Sequence, residues 1–252
     1  MSVIAIIPAR YASTRFPGKM LADRTGRPLI QHVYERVIAS GAVDRTLIAT
    51  DDQRILEAAR AFGAEAVMTR ADHPNGSSRL AEVAASLPEA ELIVNVQGDE
   101  PELPPELIDR AVAHLRQTPD AVAGTLASPF AAGEDPADPN IVKVVRDQRG
   151  CAIYFSRARL PYPRDGETLP HAKPLKHIGL YVYRRPFLLR YVTLPETPLE
   201  RAEKLEQLRI LENGEKIAVA VVGTDHHGID TPEQYEAFVR REEARARGRS
   251  GK

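Results

Sequence analysis

The sequence lacks the features that mark secreted, membrane-spanning and nucleic-acid-binding proteins. Its single cysteine, Cys151, excludes an internal disulfide, which is typical of a reducing compartment, and is predicted to be a small buried side chain. There is no run of about 18 apolar residues, so no membrane span is predicted. The formal net charge of the 252 residues is −1, so no nucleic-acid or membrane partner is expected and any role for positive charge must be local.

What the sequence does contain is a regular alternation of short apolar runs and helical patterns. The opening run, residues 3–8, has no basic segment before it and is predicted to be a buried first strand, not a signal peptide. Apolar spacing predicts further strands at 45–50, 64–68 and 92–97, and helices at 28–40, 52–62, 77–85 and 104–117. This alternation predicts βαβ units, a mostly parallel sheet flanked by helices, and hence the α/β class.

After about residue 120 the spacing changes. Strands are predicted at 122–127, 142–146, 152–155, 177–183 and 217–222, and helices at 198–212 and from residue 231 onwards. We interpret this half as a smaller, β-containing elaboration of the same sheet. The predicted organisation is therefore a single domain over residues 1–244, with its core at about 1–120, followed by a flexible tail at 245–252.

A positively charged loop, PARYASTRFPGK at residues 8–19, follows the first predicted strand. It carries three cations, Arg10, Arg15 and Lys19, within ten residues, together with Ser13. Guanidinium and ammonium groups match a polyphosphate, and ligands of open α/β sheets bind beyond the carboxyl ends of the strands. The pattern G-x-x-x-x-G-K-[ST] is absent, which disfavours a P-loop ATPase. The alternative interpretation is an ordinary solvated basic loop.

An acidic turn, VNVQGDEP at residues 94–101, follows the fourth predicted strand at the same edge of the sheet. A carboxylate there, Asp99, facing a triphosphate, is suited to Mg²⁺, which prefers oxygen ligands. A second carboxylate, Asp230, lies in GIDTPEQ near the C-terminus. Asp230 either shares the metal with Asp99 or simply caps the helix that follows, because Asp before Thr-Pro-Glu starts helices well.

Seven segments, in order over almost the whole chain, resemble the 3-deoxy-manno-octulosonate (Kdo) cytidylyltransferase family, whose members are also called CMP-Kdo synthetases. The segments are PARYASTRFPGK, TRADHPNGSSR, VNVQGDEP, IYFSRARLPYPR, KHIGLYVYR, EKLEQLR and GIDTPEQ. One departure is visible: the family usually has an acidic residue where this chain has Ser78, which puts a carboxylate role there in doubt. The neighbouring histidines His226 and His227 are interpreted as solvated loop residues.

This resemblance implies a Rossmann-like fold, a homodimer, a cytoplasmic role in lipopolysaccharide synthesis, and transfer of CMP from CTP to the anomeric 2-hydroxyl of Kdo. It implies two Mg²⁺ ions, one with the triphosphate and one on Asp99 and Asp230. Lys19, Arg10 and the two acids would be catalytic. The residues implied in nucleotide binding are Arg10, Ser13, Arg15, Lys19, Arg70, His73 and Arg79. Those implied in sugar binding are Gln97, Arg157, His177, Tyr181, Glu206 and Gln207.

Taken singly, the sugar-binding residues have ordinary structural interpretations. His177 suits a strand, Arg157 a surface ion pair and Tyr181 a core. Two other functions also stay open, namely a cytidylyltransferase for another acidic sugar, such as sialic acid or an 8-amino Kdo variant, and a catalytically silent nucleotide-binding protein. Retention of both acids and all three loop cations favours an enzyme.

Overall fold

The computed structural model describes residues 2–13, 15–166, 172–223 and 228–250. The chain divides into two compact units. The first comprises Met1–Ala90, Asn95–Glu106 and His226–Lys252, and the second comprises Glu91–Val94 and Leu107–Asp225. The division does not follow the expected boundary near residue 120, because the end of the chain returns to the first unit. The single domain over residues 1–244 stays a prediction.

The first unit is built on three parallel strands with helices between them. Its elements are β1 Ser2–Ala9, α1 Leu29–Ile38, β2 Arg45–Thr50, α2 Gln53–Ala61, β3 Glu65–Met68 and α3 Gly76–Ala85. Strand β2 lies between β1 and β3 and pairs with both in parallel. The strands and helices predicted here are confirmed, with ends displaced by at most two residues.

Local sequence explains where these helices begin and end. The Asp52 carboxylate accepts a hydrogen bond of 2.9 Å from the backbone N–H of Arg54 and so caps α2. Gly63, with a φ of 84°, follows the end of α2, as its position in the sequence predicts. The Asn75 side chain caps α3 by accepting from the backbone N–H of Ser78 at 2.9 Å.

Two elements contribute residues to both units: strand β4, Ala90–Asn95, and helix α4, Pro105–Gln117. Within the first unit, the backbone N–H of Val96 donates to the carbonyl of Ile6 at 3.4 Å. The carboxyl ends of β1 and β4 are therefore neighbours, which is the arrangement that the sequence predicted for the basic loop and the acidic turn.

The second unit is a mixed sheet with short helices. Its elements are β5 Ala121–Pro129, β6 Lys143–Arg146, β7 Ala152–Ser156, β8 Leu175–Arg184, α5 Arg185–Tyr191, α6 Pro198–Glu203, α7 Leu208–Glu212 and β9 Lys216–Val221. Strand β5 is antiparallel to β8 and parallel to β9, and β6 is antiparallel to β7 and β8. All five predicted strands are confirmed, Cys151 is buried, and the α/β class with a mixed, mostly parallel sheet flanked by helices is confirmed.

The helix predicted over residues 198–212 is wrong as a continuous element. It is broken into α6 and α7 at Lys204, which adopts the left-handed conformation with a φ of 54°. Glu200 favours this break, because its side chain completes a capping box at the start of α6 and also pairs with Arg209 of α7. Helix α5 was missed because it has only seven residues and directly follows β8.

The last helix, α8, spans Pro232–Ser250, so the stretch expected to be a flexible tail is helical as far as Ser250. Its aromatic residues Tyr235 and Phe238 are buried in a cluster with Leu29 and Phe16 of the first unit. Full burial of such a side chain contributes about 1.5–3 kcal/mol. This packing fixes the start of α8 beside the basic loop. In the described part of the chain no helix is both long and apolar enough to cross a bilayer.

Candidate active site

The basic loop is folded back on itself by two local contacts. The backbone N–H of Gly18 donates to the carbonyl of Tyr11 at 3.0 Å, and Gly18 has a φ of 71°. A Cβ at this position would lie 3.1 Å from the Tyr11 ring, so glycine suits both the conformation and the space. The Ser13 hydroxyl accepts from the backbone N–H of Phe16 at 3.4 Å. The loop thereby delivers Lys19 to a short 3₁₀ helix, Lys19–Leu21.

The acidic turn comes very close to the end of β1. A Cβ built on Gly98 would lie 2.8 Å from the carbonyl oxygen of Pro8, which is closer than real Cβ contacts allow. Only glycine lets the two backbones meet at this distance. Asp99 follows directly and projects towards Lys19, whereas Gln97, expected to contact the sugar, is partly buried just before it.

The second acid, Asp230, is not the cap of the last helix. The cap is Thr231, whose hydroxyl accepts from the backbone N–H of Gln234 at 3.3 Å, while the Gln234 side chain accepts from the backbone N–H of Thr231 at 3.0 Å. The Asp230 carboxylate is therefore free of the capping role. Its position is set by the preceding residue, because the backbone N–H of Ile229 donates to the carbonyl of Asp99 at 2.8 Å.

The two acids meet at one ammonium group. Lys19 Nζ lies 2.5 Å from Asp99 Oδ2 and 3.4 Å from Asp230 Oδ1, and it donates to the carbonyl of Ile229 at 2.9 Å. The Lys19 side chain is 7% exposed, whereas those of Asp99 and Asp230 are 26% and 46% exposed. Arg15, which is exposed, contacts the other Asp230 oxygen at 3.0 Å. Residues separated by 211 positions in sequence thus form one cluster of alternating charge.

The composition of this cluster determines whether it suits a divalent ion. Within the described ranges, no three His, Cys, Asp or Glu side chains come together as a metal site, so any protein-held ion here would have two carboxylates. Mg²⁺ is commonly held by one or two carboxylates, with substrate phosphates and water completing six oxygen ligands. Asp99 and Asp230 approach a common cation from two sides and remain open to solvent. The donor set fits Mg²⁺ that is shared with a substrate.

A second network holds Arg10. Its Nη2 donates to the backbone carbonyl of His73 at 2.6 Å, and the buried His73 ring is hydrogen-bonded through Nε2 to Glu82 of α3. The Glu82 carboxylate also accepts from the backbone N–H of Arg70 at 3.3 Å. The bond between the His73 ring and Glu82 thus fixes the His73 carbonyl that binds Arg10. The Arg70 side chain is exposed at the surface. No local sequence pattern points to Glu82 as part of this network.

The structure does not support direct nucleotide contact by Arg79. Its side chain is wholly buried, with Nη2 2.6 Å from Asp51 Oδ2 and Nη1 donating to the Thr69 hydroxyl. A buried, paired guanidinium holds β2, β3 and α3 together and presents no surface to a ligand. Beside it, the Ser78 hydroxyl donates to the Asn75 carbonyl at 2.9 Å, so Ser78 serves the start of α3.

The predicted sugar-binding residues of the second unit fall into two groups. His177 and Tyr181 lie on β8 with ring centroids 5.4 Å apart, and the His177 Nε2 is 3.0 Å from the Thr125 hydroxyl. Arg157 follows β7, and its Nε donates to the backbone carbonyl of Glu203 at 2.8 Å. Burial raises the pKa of the Tyr181 hydroxyl well above its ordinary value, so Tyr181 keeps its proton.

The prediction that Glu206 and Gln207 lie on one helix is wrong. Both belong to the turn between α6 and α7, where Glu206 is exposed and Gln207 is buried at the start of α7. The Glu206 backbone carbonyl accepts from the Tyr191 hydroxyl at 2.8 Å, which fixes the turn against α5. The sequence-based interpretations of His226 and His227 lie outside the described residues.

We expect His177 to make the protein sensitive to acid. Burial lowers the pKa of His177 to about 4, so on acidification the unfolded chain binds a proton well before the native one does. The contribution of His177 to the free energy of unfolding is therefore fully present above the unfolded pKa of 6.5. It is lost as the pH falls towards 4, and the total loss is about 3 kcal/mol. Urea unfolding of the wild type and of His177→Gln should show that the wild type loses about 3 kcal/mol more between pH 7 and pH 4. Parallel pH profiles would contradict the assignment.

Comparison with known proteins identifies the class first. Residues 4–217 match the family model described as cytidylyltransferase, so the chain belongs to the cytidylyltransferases. It is 43% identical to a protein whose solved structure is that of CMP:2-keto-3-deoxy-manno-octonic acid synthetase complexed with CTP. That likeness has a TM-score of 0.90 and covers 95% of this chain and 98% of the other.

Sequence similarity to curated proteins identifies the family within the cytidylyltransferases. The chain is 54% identical over 241 residues to the 3-deoxy-manno-octulosonate cytidylyltransferase of Syntrophotalea carbinolica, with 92% of this chain and 95% of the relative covered. It is 51% identical over 247 residues to that of Geobacter metallireducens, with 95% and 97% covered. The chain is a member of the 3-deoxy-manno-octulosonate cytidylyltransferase family, and the resemblance noted in the sequence is confirmed.

Proposed function

We propose that this protein transfers CMP from CTP to the anomeric 2-hydroxyl of Kdo, producing CMP-Kdo and pyrophosphate. The observation that carries the proposal is the cluster in which Lys19 contacts both Asp99 and Asp230 at the adjoining ends of β1 and β4. This is the edge at which an open α/β sheet binds its ligands. Membership of the family supports CTP and Kdo as the substrates.

In the proposed reaction the 2-hydroxyl oxygen forms a bond to the α-phosphorus of CTP and loses its proton to water. The bond from the α-phosphorus to the bridging oxygen breaks, and pyrophosphate leaves with that oxygen. Negative charge grows on the phosphate oxygens, and Lys19, Arg10 and Arg15 would be the cations that stabilise it. Such transfers depend mainly on alignment and on charge stabilisation, so these cations would lower the barrier electrostatically.

We further propose that the enzyme uses Mg²⁺, with one ion on the triphosphate and one held by Asp99 and Asp230. An ion at the two acids would supply a lower pKa for the sugar hydroxyl. The chain's own part is to hold both carboxylates beside Lys19 and at a fixed separation, through the hydrogen bond from Ile229 to the Asp99 carbonyl. No side chain of the cluster is then required as a general base.

We propose that different residues of the second unit bind the carboxylate and the hydroxyl groups of the sugar. The pKa of His177 is lowered to about 4 by burial, so its ring is neutral near pH 7 and acts as a hydrogen-bonding group, not as a cation. Recognition of the sugar carboxylate therefore falls to Arg157. Hydroxyl groups of the sugar would pair with Tyr181, Glu206 and Gln207, which supply both donors and acceptors.

Homodimer formation, a cytoplasmic location and a role in lipopolysaccharide synthesis belong to the same proposal, and they rest on family membership. Sedimentation at micromolar concentration measures the first of these directly.

The decisive experiment measures pyrophosphate release from CTP and Mg²⁺ with a panel of acidic sugars. We expect release with Kdo and much slower release with sialic acid or an 8-amino Kdo variant. Faster release with another sugar would reassign the substrate. Absence of release with every sugar, while CTP still binds, would indicate a silent nucleotide-binding protein.

A further inference from the structure

Lys143 is a fully buried lysine whose ammonium contacts only backbone carbonyls. Its Nζ donates to the carbonyl of Ile141 at 2.7 Å, to that of Asp138 at 2.8 Å, and to that of Arg157. An ammonium group has three donors, so all three are used. The carbonyls come from the segment before β6 and from the residue just after β7. Lys143 therefore fastens these two segments together.

This arrangement is a poor choice for stability alone. Burial lowers the pKa of Lys143, and among the described residues no carboxylate lies within ion-pair distance of its Nζ. Taking a charge out of water is costly, and the nearby charges of Asp138, Glu203 and Asp135 offset the cost only in part, since the pKa is still lowered. Well-packed apolar residues often serve a core equally well. Because burying this ammonium group is costly, we expect Lys143 to have a role other than packing.

Arg157 is held by the same segment. Its Nη1 donates to the carbonyl of Pro139 at 2.9 Å, and its Nε donates to the carbonyl of Glu203 at 2.8 Å. Its backbone N–H donates to the Glu203 carboxylate at 2.9 Å. Throughout the described ranges, no carboxylate pairs with the Arg157 guanidinium itself, since both of its bound acceptors are neutral carbonyls. A guanidinium that is oriented but not neutralised is suited to bind an anion.

We infer that Lys143 is a positioning residue for Arg157, and that together they define the subsite for the carboxylate of the acidic sugar. Lys143 holds the Arg157 carbonyl on one side and the carbonyls on both sides of Pro139 on the other. Lys143 thereby fixes the backbone position of Arg157. It also fixes the Pro139 carbonyl, which orients the Arg157 guanidinium. This inference rests on the proposed function, in which Arg157 binds the sugar.

The test is steady-state kinetics of Lys143→Gln, which removes the charge and keeps a shorter donor. The KM for Kdo should rise roughly tenfold or more because the anion-binding guanidinium is displaced, while the KM for CTP changes less than about twofold. Lys216→Gln is the matched control, because Lys216 is an exposed lysine of β9 that pairs with Asp120, and it should change neither value. Equal changes in both KM values for Lys143→Gln would indicate a merely structural lysine and would overturn the inference.

A double-mutant cycle with Arg157→Ala separates this inference from the proposed function. If Lys143 acts through Arg157, Lys143→Gln should add no further increase in the KM for Kdo once Arg157 is alanine. Additive effects would refute the positioning role. An unchanged KM for Kdo in Arg157→Ala alone would instead refute the proposed role of Arg157. Should Lys143→Gln fail to fold, Lys143→Arg keeps the cation, and its smaller loss of Kdo affinity should likewise vanish in the Arg157→Ala background.

Discussion

Replacing Asp99 with asparagine should lower kcat by at least about a hundredfold, which is the loss typical of removing one preorganised charge from an active site. Asparagine has the same shape and can still accept a hydrogen bond from Lys19, so the local structure should persist. It lacks the negative charge that opposes Lys19 and that we propose to hold Mg²⁺. The measurement is pyrophosphate release at saturating CTP, Kdo and Mg²⁺.

Asp120→Asn is a suitable control for this experiment, because Asp120 is an exposed carboxylate that also pairs with a lysine, Lys216. It should leave kcat unchanged. Circular dichroism should show the same fold for both variants. Near-normal turnover of Asp99→Asn at saturating Mg²⁺ would reject a catalytic or metal-binding role for Asp99.

The second large effect is expected at Lys19. Lys19→Met should reduce kcat/KM for CTP by about a thousandfold, because it removes a buried cation from the site proposed for the triphosphate. It should also lower the free energy of unfolding by about 1–3 kcal/mol, since Asp99 and Asp230 lose the donor between them. Both quantities are measurable on one preparation, by initial rates and by urea unfolding.

Mg²⁺ distinguishes the two roles of Lys19. An ion bound between the carboxylates should restore stability to Lys19→Met by preferential binding to the native state, but it cannot replace a cation that contacts the phosphates. Activity towards CTP that recovers in parallel with stability would show that Lys19 is only structural. Lys216→Met, at an exposed position, is the matched control and should affect neither quantity.

The parts of the site that could be predicted from sequence are those fixed by chain topology. Strands β1 and β4 are continuous apolar runs, and parallel strands place their carboxyl ends at one edge, so the approach of Lys19 to Asp99 followed from local patterns. The contribution of Asp230 followed from the resemblance, since the residue pattern alone left it as either a ligand or a cap. The structure excludes the capping alternative, because Thr231 takes the capping role, and metal binding by Asp230 stays a prediction.

What could not be predicted depends on tertiary contacts that leave no local pattern. Arg79 has a sequence typical of a ligand-binding loop, yet Asp51, twenty-eight positions away, draws it inside. Lys204 breaks a helix that its apolar spacing supports, because the pairing of Glu200 with Arg209 outweighs local propensity. Nothing in the sequence around Lys143 indicates whether this lysine is buried against three backbone carbonyls or exposed to solvent.

The hydrogen bond from Ile229 to the Asp99 carbonyl has a consequence for biosynthesis. A nascent chain that has emerged only as far as residue 223 already contains every strand found in the described ranges, together with the basic loop and the acidic turn. It still lacks Asp230 and the aromatic residues of α8 that pack this helix against the first unit. Catalytic competence should therefore arrive abruptly, when the final helix leaves the ribosome and docks.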